Sequence, residues 1–281
     1  MAIVTLDGAL AGMQPGWSFA KDVSPTLVAG RPHSLWYLAG APGVGLTPAT
    51  ATGTGVPLSS TGGWSSNIAG QLPHNNPGSG NSYLARLTGV ATQPGILLLC
   101  DRLLHCGAVT ANSTIVVTTT TAQTINTATL PARDNVGATS GAGIQCALEI
   151  VSATGAGAAT PTIGYTGNIN GASQTAAVID PYVASSAAGA FYRFGLAAGD
   201  TGIASVQTLT LGVSMTSGAI ALVLYRQLAA LELVAGGIPN AIDALTAAFP
   251  QIFAGTVPFL VFIPSTTTAS NICGTYTECQ G

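Results

Sequence analysis

The chain has 281 residues, only 6% of them charged, and a formal net charge of −3. Ordinary soluble domains carry roughly 25% charged residues, so these 7 basic and 10 acidic side chains cannot build the mixed-charge surface of a free monomer. No basic run occurs anywhere, which excludes the clustered Lys and Arg that displace counterions from nucleic acid.

Met1–Asp7 lacks the basic start and long apolar core of a signal peptide, so no targeting segment is expected and the chain is expected to be made in the cytoplasm. Residues 1–95 carry turn signals at Gln14-Pro15-Gly16, Ala41-Pro42-Gly43 and Asn76-Pro77-Gly78. Trp17, Phe19, Trp36, Tyr37 and Trp64 are scattered among them. This section is expected to be a loop-rich arm or layer. Its aromatics either anchor a neighbouring subunit or pin the loops onto the chain's own core. Both alternatives stay open at this point.

From 96 to 281 the chain reads as a β-rich globular domain. Ile96–Cys100 is a short apolar run suited to a buried strand. Thr114–Thr118 is β-branched and strand-like. Ile144, Cys146, Leu148 and Ile150 alternate with Gln145, Ala147 and Glu149, the pattern of a half-buried strand. Further strands are expected at 160–165, 175–179, 189–196, 209–213, 257–263 and 272–276. Ile220–Leu233 is long enough for a strand that bends or changes sheet. It also lies in the most apolar stretch, Ala219–Val234, but Arg226, Gln227 and Glu232 interrupt that stretch, and it is too short to span a membrane as a helix. A single helix is predicted over about 240–249: Asn240 as its cap, Ile242, Leu245 and Phe249 on one face, and Pro250 as its stop. The expected fold is therefore mostly β, a sandwich or jelly roll with one short capping helix and an extended N-terminal section.

Few residues suggest chemistry. Asp101, Arg102, His105 and Cys106 form the densest polar cluster. Neighbours on a strand point to opposite faces, so His105 and Cys106 are poorly placed to act as a nucleophile and base, and an Asp–Arg contact to another element is expected instead. Cys100, Cys106, Cys146, Cys273 and Cys279 match no zinc spacing, and an odd number does not make a disulfide framework. The glycine-rich run 40–45 is neither a P-loop nor a dinucleotide fingerprint. Neither a cofactor nor a metal is expected, and the chain reads as no enzyme. Arg133 beside Asp134, Arg193 between Tyr192 and Phe194, and Arg226 after Tyr225 are candidate interface residues, each expected to have a fixed partner.

The runs Pro94–His105, Thr119–Asn126, Leu130–Asp134, Leu196–Asp200 and Gly237–Leu245, with His33–Trp36 and Tyr83–Leu87, resemble a family of virion-associated proteins of tailed bacteriophages and prophages. The resemblance is spread over most of the chain and carries no catalytic motif. It implies a structural virion protein, a homo-oligomer in contact with the major capsid protein or other virion proteins, with decoration (cementing) of the head as the first expectation. A tail, neck or adaptor component is the alternative within that class. A host-glycan-binding or hydrolytic tail-fibre module is the alternative outside it.

Overall fold

The structure, a computed structural model, describes residues 5–23, 27–48, 56–60, 68–107 and 115–281. It is mostly β and sandwich-like, built from three antiparallel sheets. The central sheet runs in the order β11 (Phe191–Arg193), β8 (Ile144–Ser152), β13 (Ala219–Leu233), β6 (Gly95–Gly107), β16 (Pro258–Pro264) and β2 (His33–Ser34), with β4 (Val56–Pro57) also on β6. A second sheet, called here the terminal sheet, runs β14 (Asn240–Asp243), β5 (Ser82–Ala91), β17 (Ser270–Gln280), β1 (Trp17–Val23) and β3 (Gly40–Ala41), with β15 (Gln251–Ile252) on β5. The small sheet runs β10 (Gly171–Ala177), β9 (Thr162–Gly167), β12 (Ile203–Thr210) and β7 (Gln123–Thr124).

β6 and β13 pair from Gly95↔Leu233 to Gly107↔Ala221. These strands are long enough to serve two sandwiches at once. At one end Leu97, Leu99, Leu231 and Leu233 pack against Leu84, Leu87 and Ile272 of the terminal sheet. At the other end Leu104, Cys106, Leu222 and Leu224 pack against Ile163, Tyr165, Val206 and Leu209 of the small sheet. The opposite face of the central sheet carries a third core, in which Trp36 and Leu58 cover Leu98, Cys100, Val223, Tyr225 and Phe259. Burying each large apolar side chain is worth roughly 1.5–3 kcal/mol. Covering both faces explains β8: Ala147 and Glu149 are buried as fully as Cys146 and Leu148, so the expected half-buried strand is buried on both sides.

Several expectations are corrected. Within the section 1–95, expected to be a loop-rich arm or layer, β1 and β5 are strands, and they are the two neighbours of β17 in the terminal sheet. The helix expected over 240–249 is absent. Asn240–Asp243 pairs with β5, and the Asp243 carboxylate accepts hydrogen bonds from Leu245 N and Thr246 N to make a turn. So short a helix is marginal in water, whereas a strand satisfies the open edge of β5. Ile115–Thr118 is bend and turn rather than strand, while Thr114 lies outside the described residues. The helix among the described residues is α1 (Leu6–Gly12), where Thr5 Oγ1 caps by accepting from Gly8 N at 3.0 Å.

Candidate functional site

The polar cluster on β6 lies wholly inside the fold. A β-bulge leaves Leu103 without a partner in the register to β13, which shifts the alternation and turns Arg102 and His105 to the same face. Arg102 grips Glu149 on β8 with two hydrogen bonds, NH1–Oε1 at 3.1 Å and NH2–Oε2 at 2.5 Å, and both side chains are fully buried. Trp36 seals the pair: the guanidinium carbon lies 4.5 Å from its ring centroid and 5.5 Å from that of Phe259. Burial works against the Arg102 charge, but Glu149 and Tyr37 outweigh it and hold the proton more firmly than usual. Burial, and then the neighbouring Arg102 charge, push His105 well below the ordinary histidine range. Its neutral ring accepts from Arg102 Nε on Nδ1 at 3.3 Å and leaves Nε2 without a partner. Cys106 turns the other way, into the core shared with Cys146, and burial pushes its thiol up to about 12. The expected separation of His105 from Cys106 therefore holds.

The other face of β6 carries a second ion pair. Arg133 donates to Asp101 from Nε at 3.0 Å and from NH2 at 3.2 Å, and to the carbonyls of Leu58 and Gly255. Asp134 does not pair with a cation; its carboxylate gathers Val136 N, Ala138 N, Gly141 N and the Ser140 hydroxyl into a tight loop. Arg226 donates to the carbonyl of Gln251 at 2.9 Å and lies 4.8 Å from the Phe253 ring centroid. Lys21 points inward, where its ammonium meets the carbonyls of Leu38, Pro42 and Gly43, and burial lowers it to about 8.

These placements revise the candidate interface residues. Phe19, Trp36, Arg133 and Arg226 are buried in the chain's own interior and cannot serve as anchors for a neighbour. Trp17 and Tyr37 are half-buried against the same cores. Arg193 remains partly accessible but is held by Asp180 at 2.7 Å. Trp64 lies outside the described residues. Each of the five described arginines and lysines inside the fold, Lys21, Arg31, Arg102, Arg133 and Arg226, has at least one fixed polar partner, as the scarcity of charge suggested.

What remains outside is nearly uncharged. Arg86 is the one exposed cation among all seven, with Arg193 partly exposed, and Asp7, Asp22 and Glu232 are the exposed acids. Large apolar side chains stand in their place, among them Leu6 at 74%, Leu10 at 64% and Leu245 at 96% exposure. Three of these surround an open apolar groove of about 390 Å³ between α1 and the β5–β14 edge. Leu6, Leu10 and Met13 from α1 and its end, Tyr83 and Leu84 from β5, and Leu245 line it. No residue of α1 is buried. A second recess, of about 510 Å³, is lined by Asn135, Gln145, Gln227 and the Asp180-bound Arg193. Among the described residues no three His, Cys, Asp or Glu side chains gather into a set that could hold a metal ion. No helix is long and apolar enough to cross a membrane.

No family model matches the chain, and no curated protein does. Among solved structures, the VP2 subviral particle of infectious bursal disease virus is 9% identical, with 96% of this chain and 82% of that chain covered and a TM-score of 0.19. The structure of the Gx strain of infectious bursal disease virus is 11% identical, covering 95% and 61%, with a TM-score of 0.17. Scores at that level establish no common fold.

Proposed function

We propose that this chain is a structural subunit of a tailed-phage virion, placed on the head as a decoration protein that cements the shell by intersubunit contacts. The observation that carries this reading is where the charge lies. Arg102, Glu149, Asp101, Arg133, Arg226 and Lys21 are spent inside the fold, and the outside keeps one exposed cation, Arg86, beside the partly exposed Arg193. A free monomer needs a charged surface to stay dispersed, whereas a surface facing neighbours is depleted in charge. The likeness of Pro94–His105 and the other runs to virion-associated proteins supports the phage setting.

The same observation supports a role without catalysis. The groups that resemble reactive ones, His105 and Cys106, are buried, and burial holds the imidazole neutral and the thiol protonated. The test is cryo-electron microscopy of intact particles from the producing host. Repeated density for this chain over junctions between capsid subunits is expected. Density confined to the tail or neck would replace the head position by the adaptor role, and absence from purified particles would overturn the virion reading altogether.

A further inference from the structure

Of the five cations inside the fold, Arg31 is the least satisfied. Arg102 and Arg133 hold carboxylates, and Lys21 and Arg226 each donate to two or more backbone carbonyls. Arg31, only 7% exposed, has a single hydrogen-bond partner among the described residues, the Tyr192 hydroxyl at 2.7 Å from NH1. Its Nε is buried and unpartnered, and it forms no ion pair among those residues. Tyr192 is neutral and already committed: it donates to Ser186 at 2.5 Å, because the Ser186 hydroxyl spends its own proton on the Val183 carbonyl. Asp180 lies nearby, but Arg193 takes both of its oxygens. One carboxylate beside two guanidiniums leaves one positive charge over, and a buried charge without a counter-charge is costly. Its field is felt by His33, which burial and then Arg31 lower to about 4.

Arg31 lines a recess of about 280 Å³ whose other walls are Val28, Ala29, Gly30, Pro181 and Val183, with Asp180. That is just below the roughly 300 Å³ at which pockets for drug-sized ligands begin, so the recess suits a molecule of few atoms. The unused edge of Arg31 is the one formed by Nε and NH2. The same edge of Arg133 holds Asp101, and the same edge of Arg193 holds Asp180. It is a planar fork matched to the two oxygens of a carboxylate. We infer that the recess is a binding site for one carboxylate on a short apolar stem, supplied by a small free acid or by the end of another chain. Its oxygens accept from Nε and NH2 of Arg31, and its stem lies against Val28, Pro181 and Val183. A single negative charge cancels the one left over, whereas a dianion would crowd the Asp180 carboxylate in the same recess.

The test is isothermal titration calorimetry of the full chain with acetate, propionate and butyrate. Propionamide serves as the uncharged mimic and sulfate as the dianion. A short alanine peptide, with its C-terminus free or amidated, stands for a chain end. Arg31→Gln removes the fork. Val183→Trp, at a position 47% exposed, fills the recess from outside and leaves the guanidinium in place. Thermal unfolding checks that both variants fold, and if Arg31→Gln does not, Val183→Trp decides alone. A carboxylate should bind at least about tenfold more tightly than propionamide or sulfate, and each folded variant should raise its Kd at least about tenfold. Binding of the free acids shows that a small acid suffices. Binding of the free-ended peptide alone, and not of its amide, names a chain end as the source. Equal binding of propionate and propionamide, sulfate binding as tightly as the acids, a Kd that Val183→Trp leaves unchanged, or no binding by any carboxylate would each overturn the site.

Discussion

The layer under Trp36 and the groove beside α1 reverse the usual distribution of side chains. Under Trp36 a bidentate Arg102–Glu149 pair sits at zero exposure, while beside α1 the leucines stand in the open. Charge is expensive to bury and is tolerated only where every strong donor and acceptor is answered. Here the two guanidinium–carboxylate contacts, the His105 ring and the aromatic cover answer it. The groove has no such closure within the chain. The comparison teaches that this protein closes most of its few cations inside an otherwise apolar interior and leaves some large apolar side chains in the open.

The largest effect should come from removing the cover. Deletion of residues 1–87 takes away β1, Trp36 and most of β5, strips the terminal sheet and exposes the Arg102–Glu149 pair. No cooperative unfolding transition should remain by circular dichroism. A truncated chain that melts cooperatively would show that residues 96–281 stand alone and that the Trp36 layer is dispensable.

Breaking the pair is next. Glu149→Ala leaves a buried guanidinium without its carboxylate and should cost about 3–5 kcal/mol in chemical denaturation. Replacing both partners, Arg102→Met with Glu149→Leu, should recover much of that loss, because no orphaned charge is left. A double variant as weak as the single one would mean that the pair does more than balance its own burial.

pH gives a smaller effect. Burial pushes Cys106 up to about 12 and raises Cys100 and Cys146 as well. These thiols stay protonated in the fold but ionise in the unfolded chain from about pH 8.5. The stability they supply is complete below that pH and is lost as pH rises toward their folded values. Lys21, lowered to about 8, works in the opposite sense, since the unfolded chain keeps its proton to about pH 10.4 and the fold gives it up earlier. Three thiols outweigh one amine, so stability should fall by roughly 1–3 kcal/mol per pH unit between about pH 9 and 10. Lys21→Met should make the fall steeper. On the acid side, His33, lowered by burial and then by Arg31 to about 4, favours the fold above the ordinary histidine pKa and loses that contribution as pH drops toward 4.

The smallest change in stability belongs to the groove. Leu10→Glu on an exposed helix position should shift the unfolding free energy by less than about 0.5 kcal/mol. A large loss of stability would show that α1 is held by its own sheet rather than awaiting a partner.

Much of this fold was legible in the residues. The runs at Ile96–Cys100, Ile144–Ile150 and Ile220–Leu233 carry their period openly, and all three lie in the central sheet. β1 was legible in principle and missed: Phe19 and Lys21 are buried while Ser18, Ala20 and Asp22 are exposed, but a lysine in an inward position disguises the alternation. The 240–249 segment was misread because Ile242 and Phe249 do face the terminal-sheet core, at a spacing that a strand and turn reach as well as a helix. Leu245, the third member of that supposed helical face, is the most exposed of them. Strands of two residues, such as β2, β3 and β7, have no period to detect. The partners of Asp101 and Arg102 lie 32 and 47 residues away in sequence, so the cluster showed its charge but not its closure. The groove left no local sign, because α1, β5, β14 and β17 meet only in three dimensions.

The pairing of β1 with β17, with Trp17 opposite Tyr276, has a consequence for the timing of synthesis. Neighbouring strands drawn from such distant parts of a chain close late and slowly. On the ribosome, the terminal sheet must wait for residues 270–280 to emerge. Cys279 of β17 lines the groove, and its thiol donates to the Ala9 carbonyl of α1, so the seat of α1 is completed about 270 residues after α1 itself is made. Until residues 270–280 emerge, β1 and β5 have no β17 between them, and unpaired strand edges of that kind are where a nascent chain is most prone to aggregate.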